Sequence, residues 1–249
     1  AEAAPDQRNV PAALGTAPGA SFTLFNPAIK RLRTIACQAC TATKQRERSV
    51  VMAKDWFLDN WMYAGFVASL FLLAVTPIFS RVSSLPLLLI YLQLPVYMIH
   101  QLEEHCHDRF RKWANEAIGG GLEALTTRAV VFINVVGVWA VNLAALYLAQ
   151  FIDLGLGLIA VYLTLVNAVV HILGAVVLRR YNPGLATAAL LFLPCGIYAL
   201  VVVSASPGVT VTDHLVALAS AVLLHAAIIA HIKRRLASMR KPSPVSPPG

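Results

Sequence analysis

The feature that most constrains this chain is a series of six apolar blocks, each close to the length needed to cross a bilayer. They run from about Trp61 to Phe79, Leu85 to Ile99, Ala129 to Ile152, Leu154 to Leu178, Leu185 to Ser204 and Val211 to Ile232. Crossing about 30 Å of hydrocarbon takes roughly 20 helical residues, because every backbone polar group must be satisfied inside its own segment. The second block is short, and its helix is expected to continue past His100 into the polar stretch that follows. Between the third and fourth blocks there is room only for a tight reversal around Asp153-Leu154-Gly155, with Gly155 and Gly157 supplying conformational freedom. Composition excludes a water-soluble alternative: 58% of the 249 residues are hydrophobic and 13% charged, against roughly 45–50% and 25% in soluble domains. The expected fold class is therefore all-α, a polytopic membrane helical bundle of six transmembrane helices.

The basic residues orient that bundle. Lys30, Arg31, Arg33, Lys44, Arg46, Arg48 and Lys54 precede the first span, and the next connection has only Arg81. Arg109, Arg111, Lys112 and Arg128 lie between the second and third spans. Arg179 and Arg180 follow the fourth, and Lys233, Arg234, Arg235, Arg240 and Lys241 follow the sixth. The remaining connections carry no basic residue. The alternation places the N and C termini on the cytoplasmic side. Contact with anionic membrane lipid then accounts for the formal charge of +8, and no nucleic acid is invoked.

Residues 1-55 read as a disordered basic N-terminal tail, with a transit-type segment or a true start at Met52 as alternatives. Residues 56-235 form the transmembrane domain, and 236-249 a disordered Pro/Ser-rich tail. The lone Cys37-x-x-Cys40 pair lacks the second pair that a zinc ribbon needs. Cys195 reads as a packing residue.

Ionisable groups inside apolar blocks are costly and point to function. His100, Glu103, Glu104 and His107 fall on one arc of a helix at 100° per residue, whereas His105 and Cys106 lie off it. A helix with that spacing can offer adjacent ligands to a metal. His171 precedes Arg179 by the same interval as His225 precedes Lys233, and His100 stands one residue further from Arg109. The three histidines therefore share a layer about 12 Å along the helix axes from the basic collar. Asn167 lies one turn before His171 on the same face, and Asn134 can reach this layer from the third span. His231 borders the collar, His214 lies at the other side of the membrane, and Asn142 and Gln150 read as interhelical hydrogen-bonding residues. Tyr181-Asn182-Pro183-Gly184 is strong turn chemistry that caps the layer.

The ordered set His100-x-x-Glu103-Glu104, Asn167-x-x-x-His171 and Tyr181-Asn182-Pro183-Gly184 resembles the HXXEE-domain family of bacterial integral membrane proteins. The resemblance implies a bacterial inner-membrane location and a metal-dependent hydrolase. Carried onto this chain, it implicates His100, Glu103, Glu104, Asn167, His171 and Tyr181; His107 and His225 come from spacing alone.

The resulting expectation is a divalent metal, zinc favoured and iron possible, held by His100, His171 and either His225 or His107, with Glu103 as a further ligand. Glu104 would be the general base, and Asn167 and Tyr181 would orient a substrate or polarise its carbonyl. A site at that depth is reached from the cytoplasmic leaflet, which favours a small amphipathic or lipid-like substrate. A di-iron lipid oxidoreductase, a proton or cation transporter and a metal-free isomerase are the alternatives.

Overall fold

The computed structural model describes residues 27–240, of which 52–240 belong to one of its two compact units. The segments 1–26 and 241–249, which hold parts of the two tail expectations, lie outside the described residues, as do the side chains of Cys37 and Cys40; residues 27–55 of the expected disordered N-terminal tail fall within the first helix. Among the described residues every regular element is helical. Six helices are long and apolar enough to cross a membrane, so the chain is an all-helical membrane protein.

Helix α1 is Pro27–Val82, and thus starts well before the first apolar block. Ser84 in an extended conformation and Pro86 in the first turn start α2, Leu85–His105. Helix α2 does continue past His100, and it stops where His107 and Asp108 take left-handed backbone angles (φ 56° and 62°). The short amphipathic α3, Arg109–Ala117, follows. Helix α4, Thr127–Phe151, starts at a Thr126 cap and contains a π-helical stretch over Ile133–Ala140. Asp153 caps the 3-10 turn Leu154–Gly157, and α5 runs from Leu158 to Leu178. Arg179 ends α5 in a left-handed conformation (φ 50°). Helix α6, Leu185–Ser204, has a second π-helical stretch at Ala188–Phe192. Helix α7, Val211–Met239, starts with a Thr210–Asp213 capping box.

The reversal at Asp153 is as tight as expected, but its glycines serve space rather than backbone freedom. A Cβ on Gly155 would lie 2.5 Å from Asp213 Cγ, and one on Gly157 would lie 2.2 Å from Ile90 Cδ1. The close approach of α2, α5 and α7 at this end therefore depends on the missing side chains.

Helix α2 sits at the centre. In its most apolar window 61% of residues are buried, against 11–33% in the other five spans. Lipid supplies no hydrophobic drive between helices, so close packing and interhelical hydrogen bonds must hold them. Leu87, Leu89 and Ile90 of α2 pack with Leu158 and Val161 of α5 and Ala199 and Val203 of α6. Tyr97 packs with Val138, Leu163 and Phe192. On the other flank Trp61 lies 5.8 Å from the Trp139 ring and 5.0 Å from the His105 ring. The central helix thereby delivers its polar turn, His100 to His105, into the middle of the bundle.

Candidate metal centre

His100 and Glu104 stand one turn apart on α2 and so share a face. His171 reaches them from α5. His100 is fully buried, and His171 and Glu104 are 4% and 6% exposed. Glu104 Oε2 is 3.5 Å from His100 Nε2, and Glu104 Oε1 is 3.5 Å from His171 Nε2. One ligand atom from each residue fits within a 4.8 Å group that can hold a metal ion. His105, expected to point away, is also there: its Nε2 is 3.0 Å from Glu104 Oε2, and the residue is 3% exposed. Glu104 is flexible enough to turn toward its neighbour, which a helical wheel ignores.

Hydrogen bonds around these rings fix where their protons lie. Asn182 Nδ2 donates to the His171 carbonyl (2.8 Å), so its Oδ1 must accept from His171 Nδ1–H (2.7 Å). The Thr187 hydroxyl donates to Glu103 Oε2 (2.5 Å), so its oxygen accepts from His100 Nδ1–H (2.8 Å). For His105 the order of donors starts at an indole. Trp139 Nε1–H, a donor only, bonds Gln101 Oε1 (2.6 Å); Gln101 Nε2 donates to Asn134 Oδ1 (2.8 Å). Asn134 Nδ2 then donates to the Val130 carbonyl (2.9 Å) and to His105 Nε2 (3.2 Å). His100 and His171 thus engage Nδ1–H elsewhere and turn Nε2 toward one buried carboxylate, whereas the His105 Nε2 lone pair is taken by Asn134. Acceptor atoms converging in a low-dielectric interior repel one another unless positive charge, a metal ion or a ring proton, lies among them.

Gly184 makes the approach of the two helices possible. It has φ 97°, and a Cβ there would lie 2.7 Å from His171 Cε1 and 2.9 Å from His100 Cε1. On the far side of His100 the Phe192 ring packs at 4.2 Å.

Neither Glu103 nor Glu104 takes the part expected of it. Glu104 joins the ligand-capable group, whereas Glu103 turns to the start of α6. Its Oε2 accepts from the Thr187 backbone N–H (2.8 Å) and hydroxyl, and its Oε1 from the N–H groups of Gly184 and Ala186 (3.3 Å each). The Tyr181 hydroxyl donates to the same Oε1. A carboxylate at a helix N-terminus is favourably placed against the helix dipole. Glu103 therefore ties α2 to α6 instead of facing the metal group. Tyr181 is 54% exposed and is spent on that tie. Withdrawal of its hydroxyl from water, then the Glu103 carboxylate, push the Tyr181 pKa up to about 12.

The remaining expected residues divide. His107 is exposed in the left-handed kink, bonded through Nδ1 to Cys106 Sγ (3.1 Å), because α2 ends before the wheel can carry it to the group. Asn167 donates to the Tyr97 hydroxyl (2.7 Å) and stands 3.5 Å from His100 Nε2. His225 lies outside the group but in the wall of the adjoining cavity of about 440 Å³, which Glu104, His105, His171, Asn134 and Asn167 also line. Its Nδ1–H donates to the Ala221 carbonyl (2.8 Å), which leaves the Nε2 lone pair free. Sequence reasoning passed over Asn182, Thr187, Gln101 and His105. Asn182 alone carried a signal, as part of the turn motif.

Fold and site define a helical membrane protein with a buried His/Glu group able to hold a metal ion. Residues 91–199 match the family model described as a protein of unknown function with HXXEE motif. That segment runs from α2 into α6; it contains His100, Glu104, His171 and Asn182, and leaves out His225. Comparison with curated proteins and with solved structures gives no match.

Proposed function

We propose that this protein is a metal-dependent hydrolase of the bacterial inner membrane, acting on an amphipathic substrate that enters from the cytoplasmic leaflet. The observation that carries the reading is the convergence of the His100 and His171 Nε2 atoms on the buried Glu104 carboxylate. His100, His171 and Glu104 would hold the ion. Ligands about 2.0–2.1 Å from a tetrahedral zinc stand about 3.3–3.4 Å apart; here one Glu104 oxygen lies 3.5 Å from His100 Nε2 and the other 3.5 Å from His171 Nε2, and one ligand atom from each residue lies within 4.8 Å of the others. Asn182 and Thr187 supply the supporting bonds that metal-binding histidines usually have. A single carboxylate in the group is a poor match to the several that a carboxylate-bridged di-iron centre uses.

Zinc in such a site acidifies water and polarises a carbonyl. Around it, this chain's residues handle protons and position the substrate. His225, with its tautomer set by Ala221, would accept a proton from water at Nε2 and return it to the leaving group. This assigns to His225 the base role first expected of Glu104. Asn167 would orient the substrate carbonyl through its amide N–H.

The test is turnover of lipid esters and amides by zinc-loaded protein, wild type beside His225→Gln. Hydrolysis by wild type is expected, falling about 100-fold or more in the variant with metal content unchanged. Absence of ester or amide cleavage by fully loaded wild type, or full activity in the variant, would contradict the reading.

A further inference from the structure

The cavity beside the metal group has walls that say more about its ligand than the group itself does. Along α5 its lining extends from Leu163 through Val170, Leu173 and Val177 to Leu178, roughly 22 Å at about 1.5 Å per residue. Leu224, Ile228, Ile229 and Ile232 of α7 line the facing wall. The polar groups, Glu104, His105, His171 and His225 among them, are gathered on part of this otherwise apolar surface. Phe110, Trp113 and Ile118, from α3 and the residue after it, also line the cavity. The charged α3 residues Arg109, Arg111 and Lys112 do not, so α3 presents its apolar face to the chamber at the basic end of the bundle. Several lining residues are at once exposed on the bundle's outer surface: Leu173 at 56%, Val177 at 76% and Ile229 at 48%. These apolar edges open the chamber sideways, where hydrocarbon tails would lie.

A second observation gives the ligand a polar feature. The Trp113 indole N–H is buried without a hydrogen-bond partner, and an indole nitrogen can only donate. Two other buried side-chain atoms among the described residues lack partners, Gln93 Oε1 and Asn142 Oδ1; both are acceptors, and neither residue lines the cavity. The Trp113 side chain lines the cavity while its nitrogen has almost no accessible surface, so a small turn of the ring would bring this unpartnered donor to a ligand that carries an acceptor.

We propose that this chamber binds a single-chain lipid with a hydrogen-bond acceptor in its head, of the fatty-acyl ester class, admitted laterally from the bilayer beneath α3. The volume, about 440 Å³, lies near the lower end of the about 300–1,000 Å³ usual for ligand cavities. It suits one hydrocarbon chain and a small head, and is too small for the paired chains of a phospholipid. The inference rests on the proposed hydrolase for the fate of the lipid but not for its binding. In that reaction water adds to the acyl carbon: a new C–O bond forms and the ester C–O bond to the alcohol breaks. The proton taken from water ends on the alcohol oxygen, giving a free fatty acid and the alcohol.

The experiment uses full-length protein in nanodiscs with a monoacylglycerol carrying a chain diazirine, beside a diacyl phosphatidylcholine carrying the same group. After irradiation the labelled residues are mapped by mass spectrometry, and metal content is measured on the same samples. Saturable monoacylglycerol labelling of 173–178 and 228–232 is expected, at least about tenfold above labelling by the two-chain probe. Ile228→Trp, which fills the chamber, should abolish it. Trp113→Phe should weaken it about fivefold, the effect of one neutral hydrogen bond. Labelling confined to outward positions such as Leu215 and Leu223, or equal labelling by both probes, would overturn the proposal on wild-type protein alone. Should Ile228→Trp fail to fold, Leu173→Trp serves in its place. Chamber labelling of metal-free protein would support the lipid site while removing the hydrolase; metal-loaded protein without chamber labelling would do the reverse.

Discussion

At Asn182 a single amide settles which nitrogen of His171 carries a proton. Its Nδ2 is committed to a backbone carbonyl, so its Oδ1 accepts from Nδ1–H, and His171 is left with Nε2 facing Glu104. Asn182→Ala is expected to weaken zinc affinity about 10–100-fold while leaving the stoichiometry at saturation unchanged; zinc titration against a competing chelator checks it, and an unchanged affinity would count against the tautomer argument. Tyr181 makes a prediction of a different kind. Folding raises its pKa from 10.0 to about 12, so its bond to Glu103 contributes fully below pH 10 and fades as pH climbs through about 12. The difference in melting temperature between wild type and Tyr181→Phe should be flat up to about pH 10 and shrink above it. A difference that grew with rising pH would contradict the tie described here.

At the scale of elements, the meeting of α2, α5 and the start of α6 decides whether a site exists. Gly184 sits against both histidine rings, where an added Cβ would crowd His171 and His100, in a backbone conformation that side chains avoid. Gly184→Ala should lower the melting temperature and abolish stoichiometric metal binding; retained binding would show that the rings can part without loss. Glu103→Gln, by contrast, should leave metal content intact and cost about 1–2 kcal/mol of stability through the α6 start, measurable by denaturant titration. Periodicity carried the sequence reading as far as His100, Glu104 and His171, because a helical wheel and equal distances from basic collars are properties of regular helices. It lost His107 because the left-handed pair His107–Asp108 ends α2. It missed the Trp139–Gln101–Asn134–His105 relay, whose α4 members lie in a π-helical stretch where 3.6-residue periodicity no longer holds. It also could not tell Glu103 from Glu104: adjacent carboxylates on one arc differ only in which neighbour they meet, and that depends on the α5–α6 turn folding back over α2.

At the scale of the whole molecule, six apolar spans were legible from residue blocks alone, since a bilayer leaves a chain so few options. The layer of His100 and His171 was legible for the same reason, depth being counted in residues from each span's basic end. The cavity was not, because apolar residues read alike whether they face lipid, a neighbouring helix or an enclosed chamber. All these scales meet in one claim, that a divalent ion occupies the space between His100, Glu104 and His171. The direct measurement is metal content per chain in folded, detergent-purified protein never exposed to chelator, with His100→Ala, His171→Ala and Glu104→Ala beside wild type. The account expects about one divalent ion, zinc foremost, in wild type and a loss in all three variants. Wild-type protein without stoichiometric metal, or metal retained in the variants, would contradict it.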